Sequence, residues 1–390
     1  MRNPTSKLAD LNAVVLINYL RRHHVSVFKE IEKHVGKLTI LTSTPMEDDR
    51  SWAPEWEGLD VRVQKNFTLT LNRSSGFREK NFLHFPYDSI GQLRRLRPDI
   101  VFSYEMGMRS LLSYFYKRTN MKTPLVLVGN MSYDLEVNRK TIRNTIRKWL
   151  VSRVDHFTYN GPSCQQYLEH LGIDKERQFF FPYCYDTRKV FHGDKTFSAD
   201  GVKRFLYCGA LSDRKGILPF TQTLAQFCDD HPGENILLEI AGTGQHEQAL
   251  RELSRTNLKI NLLGNCTAEQ IKECYGRADF VVFPSFGDEW GLVPVEAWAS
   301  GIPVIGSELA QSVSTYCKIG QNGWMIDPQD RDRIYHALLE ASKIDHNRWS
   351  EMSAESRNSV AGISAKVSAE AFCEICVSVL QLEPSLSHVS

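Results

Sequence analysis

Short apolar runs alternate with longer amphipathic stretches along most of the chain, and this alternation constrains the fold more than any other feature of the sequence. The run "AVVLIN" (13–18) precedes "VSVFKEIEKHV", "DIVFSYE" (99–105) precedes "SLLSYFYKR", and "DFVVFPS" (279–285) precedes "VPVEAWASG". The short runs are typical of buried strands, and the stretches that follow them have helical periodicity. Strands that alternate with helices form βαβ units, so the sequence predicts an α/β fold with parallel sheets.

The alternation stops once, and this interruption divides the chain. Residues 184–203, "CYDTRKVFHGDKTFSADGVK", are polar and aperiodic, and the pattern restarts at "RFLYCGA". A chain of 390 residues also exceeds the size at which a single core usually keeps growing. We therefore predict one domain over 1–190, a second over 191–365, and a C-terminal helix and tail over 366–390 that pack back on the first. Two such sheets facing each other enclose a cleft at the carboxyl ends of their strands, where α/β proteins bind ligands.

Composition excludes several classes of protein. The formal net charge is +1, so no global basic field predicts binding to nucleic acid. The nine cysteines have no regular spacing, which is typical of reduced thiols inside the cell. The N-terminus lacks the pattern of a secretory signal, and no apolar run approaches the length of about 18 residues that spans a membrane. We therefore expect a cytoplasmic protein.

The segment "PSFGDEWGLVPVEAWASGIPV" (284–304) carries the most specific chemical signal. It predicts a strand end, a loop and then a helix over "VPVEAWAS". The loop brings Asp288 and Glu289 to the carboxyl edge of the sheet, beside a helix N-terminus whose free N–H groups favour anions. Glu296, in the first helical turn, faces the same place, so two carboxylates can accept hydrogen bonds from hydroxyl groups of one elongated ligand. The alternative is an acidic loop before an ordinary amphipathic helix.

Two further segments of the same half predict close approach of the backbone to a ligand. In "YCGALSDRKGILPF" (207–220), a strand and a glycine turn precede the basic residues that open a helix. In "EIAGTGQHEQAL" (239–250), a strand ends at a Gly-x-Gly. Taken alone, the first is equally typical of a solvated helix start and the second of a plain strand-to-helix turn.

The acidic segment resembles the donor-binding signature of family 4 glycosyltransferases, enzymes of the GT-B fold. The family pattern runs Pro-Ser, an acid, Gly-Leu, Glu-Ala, Gly and Pro-Val-Ile, and residues 284–305 match it in order. One departure is that the first acid of the family is usually Glu, whereas this chain has Asp288 followed by Glu289. Because Asp is shorter by one methylene, Glu289 is a candidate to share the role.

The basic segment resembles the Gly-Arg-Leu-x-x-x-Lys-Gly motif of the same family. Lys215 and Gly216 match it, whereas Ala210 stands at the Arg position and Arg214 is the candidate replacement. The resemblance spans roughly residues 154–330. It implies two Rossmann-like domains facing each other across a cleft, of which the first binds an acceptor and the second a nucleotide sugar.

The resemblance also implies retaining transfer of a sugar without an obligatory metal or other cofactor. Lys215, Arg214 and the helix N-terminus are implied to stabilise charge on the departing diphosphate, and Asp288 or Glu289 to hold the sugar. Glu296 is implied to hold the ribose. The other donor-binding residues that it implies are Gly209, Gly216, Gly242, Gly244, Leu263, Ser285, Gly291, Leu292 and Val293.

The first half matches the family less closely, and its candidates follow predicted strands. No Gly-Gly loop follows the first strand, and the His that the family often has after a middle strand is absent. Polar side chains at strand ends also often serve turns. The acceptor-side candidates are Arg21, Arg22, His23, His24, Glu105 and Asp134.

A basic amphipathic helix is predicted over residues 139–153, "RKTIRNTIRKWLVSR". Ile146, Trp149 and Leu150 lie on a face away from most of its basic residues. Such a helix can rest on anionic lipid, or it can be a solvated outer helix packed on the sheet. The sequence leaves both open, and the first places the protein at the inner face of the cell membrane.

The resemblance implies a hexosyltransferase that acts on a saccharide or lipid-linked saccharide, and family habit favours surface or exopolysaccharide assembly. A nucleotide-sugar epimerase of similar shape is an alternative, but the sequence does not place the acid/base groups that it needs. A non-catalytic partner that binds sugar nucleotides is another, favoured by the missing Arg at position 210. The donor sugar, the base, the acceptor and the oligomeric state are not determined by the sequence.

Overall fold

The computed structural model describes residues 7–46, 54–72, 80–137, 142–198 and 200–382. Contacts divide the chain into two compact units. Unit 1 comprises Met1–Cys184 with Ile363–Ser390, and unit 2 comprises Tyr185–Gly362. The sequence analysis places the corresponding boundaries at 190 and 365.

The described strands of unit 1 are β1 (Asn12–Ile17), β2 (Lys37–Thr42), β3 (Asp60–Val63), β4 (Phe67–Asn72), β5 (Lys80–Phe85), β6 (Ile100–Tyr104), β7 (Leu125–Val128), β8 (His156–Tyr159) and β9 (Gln178–Phe180). Within this part of the chain, seven of them form a parallel sheet in the order β3-β2-β1-β6-β7-β8-β9. β4 and β5 pair antiparallel as a separate ribbon. The described helices that precede unit 2 are α1 (Arg22–Glu32), α2 (Ser89–Leu96), α3 (Met108–Thr119), α4 (Tyr133–Glu136), α5 (Ile142–Val151) and α6 (Pro162–His170).

The burial of β1 explains why its sequence is apolar from Ala13 to Ile17 rather than alternating. Ala13, Val15 and Ile17 join a core on one face of the sheet. Val14 and Leu16 join a second core on the other face. A parallel strand covered on both faces needs apolar side chains at successive positions, as seen here.

Unit 2 repeats the architecture with its own core. Its described strands are β10 (Val202–Cys208), β11 (Asn235–Ala241), β12 (Leu258–Gly264), β13 (Phe280–Phe283), β14 (Val304–Ser307) and β15 (Gly323–Ile326). They form a parallel sheet in the order β12-β11-β10-β13-β14-β15. The described helices are α7 (Ile217–Asp230), α8 (Glu247–Arg251), α9 (Ala268–Arg277), α10 (Leu292–Ala299), α11 (Gln311–Tyr316), α12 (Arg331–Ser342) and α13 (His346–Ser359).

The last helix, α14 (Ala365–Leu380), belongs to unit 1. Ser364 Oγ caps it by accepting a hydrogen bond from Val367 N at 3.2 Å. Phe372 stacks on Phe102 of β6 with ring centroids 4.3 Å apart. Burying such a side chain contributes about 1.5–3 kcal/mol, so α14 is an integral part of the core of unit 1.

The predicted α/β fold with parallel sheets is confirmed by both units. In unit 1, β2 and β3 lie on one side of β1, and β6, β7, β8 and β9 lie on its other side. The strand order therefore reverses between β1 and β6, whose carboxyl ends are adjacent. The same reversal in unit 2 places the carboxyl ends of β10 and β13 side by side. Such switch points are where open α/β sheets bind ligands. Across the described ranges, no helix is both long enough and apolar enough to pass through a bilayer.

Candidate functional site

The loops after β10 and β13 are joined at the carboxyl edge of the sheet of unit 2. Phe286 N donates a hydrogen bond to Arg214 O at 2.8 Å. Arg214 Nη1 donates to Gly287 O at 2.8 Å, and Ser285 Oγ donates to the same carbonyl at 3.1 Å. The loop that opens α7 and the loop that opens α10 therefore hold each other in place.

Gly216 makes this close approach possible. Its φ is +67°, which favours glycine, and it separates a short 3-10 turn (Asp213–Lys215) from α7. A Cβ at this position would lie 2.0 Å from Pro284 O. Any other residue would therefore push the basic loop away from the acidic loop.

Three charged side chains meet where the two loops join. Lys215 Nζ donates a hydrogen bond to Asp288 Oδ2, and Arg214 Nη1 lies 3.8 Å from the same oxygen. The three side chains are only 20–28% exposed, so solvent screens them partly. Lys215 and Arg214 thus bring two cations to the loop that precedes α10, and cations near a helix N-terminus favour an anion.

Glu296 of α10 is buried and already engaged. It is 1% exposed; Lys189 Nζ lies 3.3 Å from Oε1, and the Tyr275 hydroxyl donates to Oε2 at 3.2 Å. The attraction of Glu296 raises the pKa of Lys189, although burial opposes this. Burial, and then Glu296, raise the pKa of Tyr275 well above its ordinary value. The carboxylate is thus fixed in one orientation by a cation and a hydroxyl.

The glycines predicted to line the donor site hold the strand ends of unit 2 together. Gly209 N donates to Ala241 O at 2.9 Å, and Gly242 N donates to Gly264 O at 2.8 Å. A Cβ on Gly242 would lie 1.9 Å from Gly209 O. The ends of β10, β11 and β12 therefore pack backbone against backbone. Gly244 lies in the loop after β11, and Leu263 is in β12.

The remaining predicted donor residues lie in the loop 284–291 and the first turn of α10. Ser285 is buried, and its hydroxyl is used within the loop. Gly291 is the residue before α10, and the Cβ it lacks would meet Phe283 and Ser312. Glu289 is exposed, and its carbonyl accepts from Gln311 Nε2 at 2.7 Å. Leu292 and Val293 are half-buried at the start of α10.

The four candidates at the start of α1 have different environments. Arg21 is exposed, and its Nε donates to Tyr19 OH at 3.0 Å. Arg22 pairs with Glu55 at 2.9 Å. His23 and His24 are buried with ring centroids 4.1 Å apart, and His24 Nδ1 accepts from Arg21 N at 3.4 Å. Burial, and then the charge of Arg21, lower the pKa of His24 to about 3, so its imidazole is neutral near pH 7.

Glu105 lies directly after β6, where the chain turns toward α3, and its φ is +64°. Arg109 of α3, only 4% exposed, donates to Glu105 Oε2 at 3.3 Å, to Ser43 Oγ at 3.2 Å and to Tyr104 O at 3.2 Å. Asn18, after β1, also donates to Glu105 Oε2 at 3.3 Å and accepts from Arg109 Nη1. The side chain of the last candidate, Asp134, lies outside the described residues, as do residues 139–141.

Sequence reasoning missed four residues of these clusters. Lys189 lies in the segment 184–203, which carries no periodic signal, and Tyr275 is an apolar-face residue of α9. Arg109 is one of many arginines on amphipathic stretches. Glu105 is a candidate because it directly follows a predicted strand. Asn18 also directly follows a predicted strand, so the same signal could have identified it.

Comparison with known proteins shows what the second half of the chain is similar to. Residues 191–358 match the family model described as "Glycosyl transferases group 1". An uncharacterised glycosyltransferase of Methanocaldococcus jannaschii is 31% identical over 138 residues, which cover 35% of this chain and 34% of that protein. The D-inositol 3-phosphate glycosyltransferase of Nocardia farcinica is 25% identical over 245 residues, covering 58% and 53%. The chain thus spans about a third to a half of the length of these curated relatives.

Solved structures extend the likeness to nearly the whole chain. Sucrose-phosphate synthase from Thermosynechococcus elongatus aligns with a TM-score of 0.68 and 14% identity, covering 95% of this chain and 99% of that chain. Anabaena HepE in complex with UDP-glucose aligns with a TM-score of 0.67 and 14% identity, covering 94% and 100%. The lipopolysaccharide outer core galactosyltransferase WaaB gives the same values as HepE. The predicted GT-B fold is thereby confirmed, and residues 191–358 are similar to the glycosyl transferases group 1 family.

Proposed function

We propose that the protein is a retaining glycosyltransferase that moves a sugar from a nucleotide-sugar donor to a hydroxyl group of a saccharide or lipid-linked saccharide. The observation that carries this proposal is the cluster of Lys215, Arg214 and Asp288 beside the N-terminus of α10. It combines two cations with a carboxylate in one place. A sugar diphosphate needs both, since its phosphates are anions and its hydroxyl groups are hydrogen-bond donors.

The proposed mechanism is electrostatic. As the bond between the sugar and the diphosphate breaks, negative charge grows on the departing phosphate oxygens. Lys215 and Arg214 stabilise that charge, and they are held in place beforehand by the loop contacts of Arg214 and by Asp288. Asp288 or Glu289 holds hydroxyl groups of the sugar, which fixes the anomeric carbon against the acceptor.

We propose UDP as the nucleotide, with Glu296 as the group that binds the ribose. HepE, which shares the fold, has been solved with UDP-glucose. Both carboxylate oxygens of Glu296 are engaged, one by Lys189 and the other by Tyr275. A ribose hydroxyl can therefore donate to Glu296 only if it replaces one of these two contacts. Retention at the anomeric centre and independence of divalent metals are part of the same proposal.

Turnover measurements separate the proposal from its alternatives. UDP release from UDP-glucose is followed with acceptor-bearing membranes present, and the sugar product is identified. A transferase releases UDP only when a new glycoside forms, an epimerase interconverts UDP-sugars, and a binding partner shows affinity without turnover. Lys215→Ala should lower the rate by at least about a hundredfold. Lys318→Ala is the matched control, because Lys318 is an exposed lysine of unit 2 that pairs with Glu355 at 2.6 Å.

We further propose that α5 rests on an anionic membrane and that the acceptor is a surface polysaccharide precursor, as the role of WaaB as a lipopolysaccharide outer core galactosyltransferase suggests. Ile146 and Trp149 of α5 are 39% and 36% exposed, and the Arg153 guanidinium lies 4.4 Å from the centre of the Trp149 ring. Arg147 does not contribute, since it is buried and pairs with Glu136 at 2.5 Å. Apolar rings flanked by basic groups suit the lipid interface.

Vesicle sedimentation tests the membrane contact. The protein should bind vesicles that contain phosphatidylglycerol and not vesicles of phosphatidylcholine alone. Trp149→Ser should weaken this binding several-fold, whereas Phe180→Ser, which alters another exposed aromatic residue (46%), should not. Equal binding of both vesicle types, or equal effects of the two substitutions, would contradict the proposal.

A further inference from the structure

Glu105 is held in an unusual backbone conformation at the switch point of unit 1. Among the described residues, the other non-glycine positions with positive φ are Glu57, Arg97 and Gln381. Arg97 and Gln381 end α2 and α14, where a left-handed residue is ordinary, and Glu57 precedes Gly58 in a turn. Of these four described residues, Glu105 alone combines this conformation with the carboxyl end of a central strand. A strained residue at such an edge is retained where its side-chain direction matters.

The surrounding groups fix both the backbone and the side chain of Glu105. Its N–H donates to Val128 O at 2.9 Å, and its carbonyl accepts from Ser110 Oγ at 2.5 Å. Its Oε2 accepts hydrogen bonds from Arg109 and Asn18, each at 3.3 Å. The side chain cannot turn away without breaking these bonds, although it is 51% exposed.

The other carboxylate oxygen, Oε1, accepts no hydrogen bond from the described residues, and the side chain as a whole is half exposed. The charge of the buried Arg109 is matched by Glu105, so the guanidinium is not available to hold an anion. A second polar group at the same sheet edge lacks a partner: Asn160, directly after β8, is 1% exposed, and neither its Oδ1 nor its Nδ2 is hydrogen-bonded within the described part of the chain. Unpaired buried amides are costly, which indicates a polar ligand or water at this edge.

We propose that Glu105 Oε1 accepts a hydrogen bond from a hydroxyl group of an uncharged polyol, and that Arg109 is the positioning residue that aims it. This inference rests on the proposed function. It places the acceptor at the carboxyl edge of the sheet in unit 1, and the part of the acceptor that contacts Glu105 is uncharged. An anionic group is disfavoured there, because an open carboxylate oxygen repels it.

The test titrates the full chain with methyl α-D-glucoside, methyl α-D-mannoside and myo-inositol, and separately with glucose 6-phosphate, by calorimetry and ligand-observed NMR. At least one uncharged probe should bind more tightly than the phosphate. Glu105→Gln keeps an oxygen for Arg109 and turns the open atom from an acceptor into a donor. It should weaken binding of the uncharged probe about tenfold, and it should reduce the difference in affinity between that probe and glucose 6-phosphate. Glu57→Gln makes the same change at the other described left-handed glutamate and should have no effect.

Two further variants test positioning. Arg109→Lys keeps the charge but loses the fork that joins Asn18, Ser43 and Glu105, and it should weaken polyol binding about as much as Glu105→Gln. Asn18→Ala, which removes the other donor to Oε2, should weaken it severalfold and serves if the Arg109 variant does not fold. Affinity for UDP should stay unchanged in every variant.

The outcomes distinguish this inference from the proposed function. UDP binding without binding of any uncharged probe, or polyol binding that Glu105→Gln leaves intact, overturns the inference alone. Polyol binding that depends on Glu105 in a protein that does not bind UDP supports the site and overturns the proposed donor. Tighter binding of glucose 6-phosphate than of every uncharged probe overturns the assignment of a neutral ligand.

Discussion

Lys189 Nζ lies 3.3 Å from Glu296 Oε1, and the glutamate is 1% exposed. The pair joins the segment at the start of unit 2 to α10, 107 residues away in the chain. Because the carboxylate is buried, removing the lysine leaves a charge whose remaining hydrogen-bond donor, within the described ranges, is the Tyr275 hydroxyl. Lys189→Met should therefore lower the free energy of unfolding by about 2–4 kcal/mol, measured by chemical denaturation.

A double-mutant cycle checks that the loss comes from the pair. Lys189→Met combined with Glu296→Gln should cost less than the sum of the two single changes. Lys318→Met breaks the exposed pair with Glu355 and should cost no more than about 1 kcal/mol. An equal cost for Lys189→Met and Lys318→Met would show that the buried pair has no special role in stability.

The buried His24 should make unit 1 sensitive to acid. Its pKa is about 3 in the folded chain and about 6.5 when unfolded, so the unfolded chain takes up a proton first as the pH falls. The stability is fully present above pH 6.5 and is lost progressively toward pH 3, by about 2 kcal/mol at pH 5. The free energy of unfolding, measured by chemical denaturation, should fall less between pH 7 and pH 5 for His24→Phe than for the unchanged protein. Identical differences would contradict this assignment.

Gly216 should be intolerant of any side chain. Gly216→Ala places a Cβ where Pro284 O stands and strains a residue with φ +67°. It should lower the free energy of unfolding by at least about 2 kcal/mol and weaken UDP binding, since the basic and acidic loops are forced apart. Gly233→Ala, with nothing within 4 Å of the added atom, is the matched control and should stay within about 0.5 kcal/mol. A larger loss of unfolding free energy for Gly233→Ala than for Gly216→Ala would refute the packing argument.

Metal removal tests the proposed source of positive charge. If Lys215, Arg214 and the N-terminus of α10 neutralise the departing diphosphate, turnover of UDP-glucose should change less than about twofold in excess EDTA. A loss of more than tenfold that Mg²⁺ or Mn²⁺ restores would assign that task to a metal ion instead.

Some of these relationships are predictable from sequence, and the reason is local. Lys215 and Asp288 each lie in the loop after a strand that ends in buried apolar residues, and the carboxyl ends of parallel strands share one edge, so their proximity follows from the pattern. Lys189 gives no such signal, because its segment lacks periodicity and its partner is distant in the chain. Arg109 would be expected on a solvated face of α3, yet it is buried because the oxygens of Asn18, Ser43 and Tyr104 accept its hydrogen bonds. The left-handed φ of Glu105 could not be predicted from the sequence, because the residue is neither a Gly nor an Asn, the types that commonly adopt this conformation.

The affinity for UDP, measured by isothermal titration calorimetry on the unchanged protein and on Lys215→Ala, tests the central claim most directly. Loss of a charged contact to phosphate should weaken binding about thirtyfold, while Lys318→Ala should bind UDP as the unchanged protein does. Absence of UDP binding, or equal affinity in Lys215→Ala and Lys318→Ala, would contradict a donor site built on the Lys215, Arg214 and Asp288 cluster.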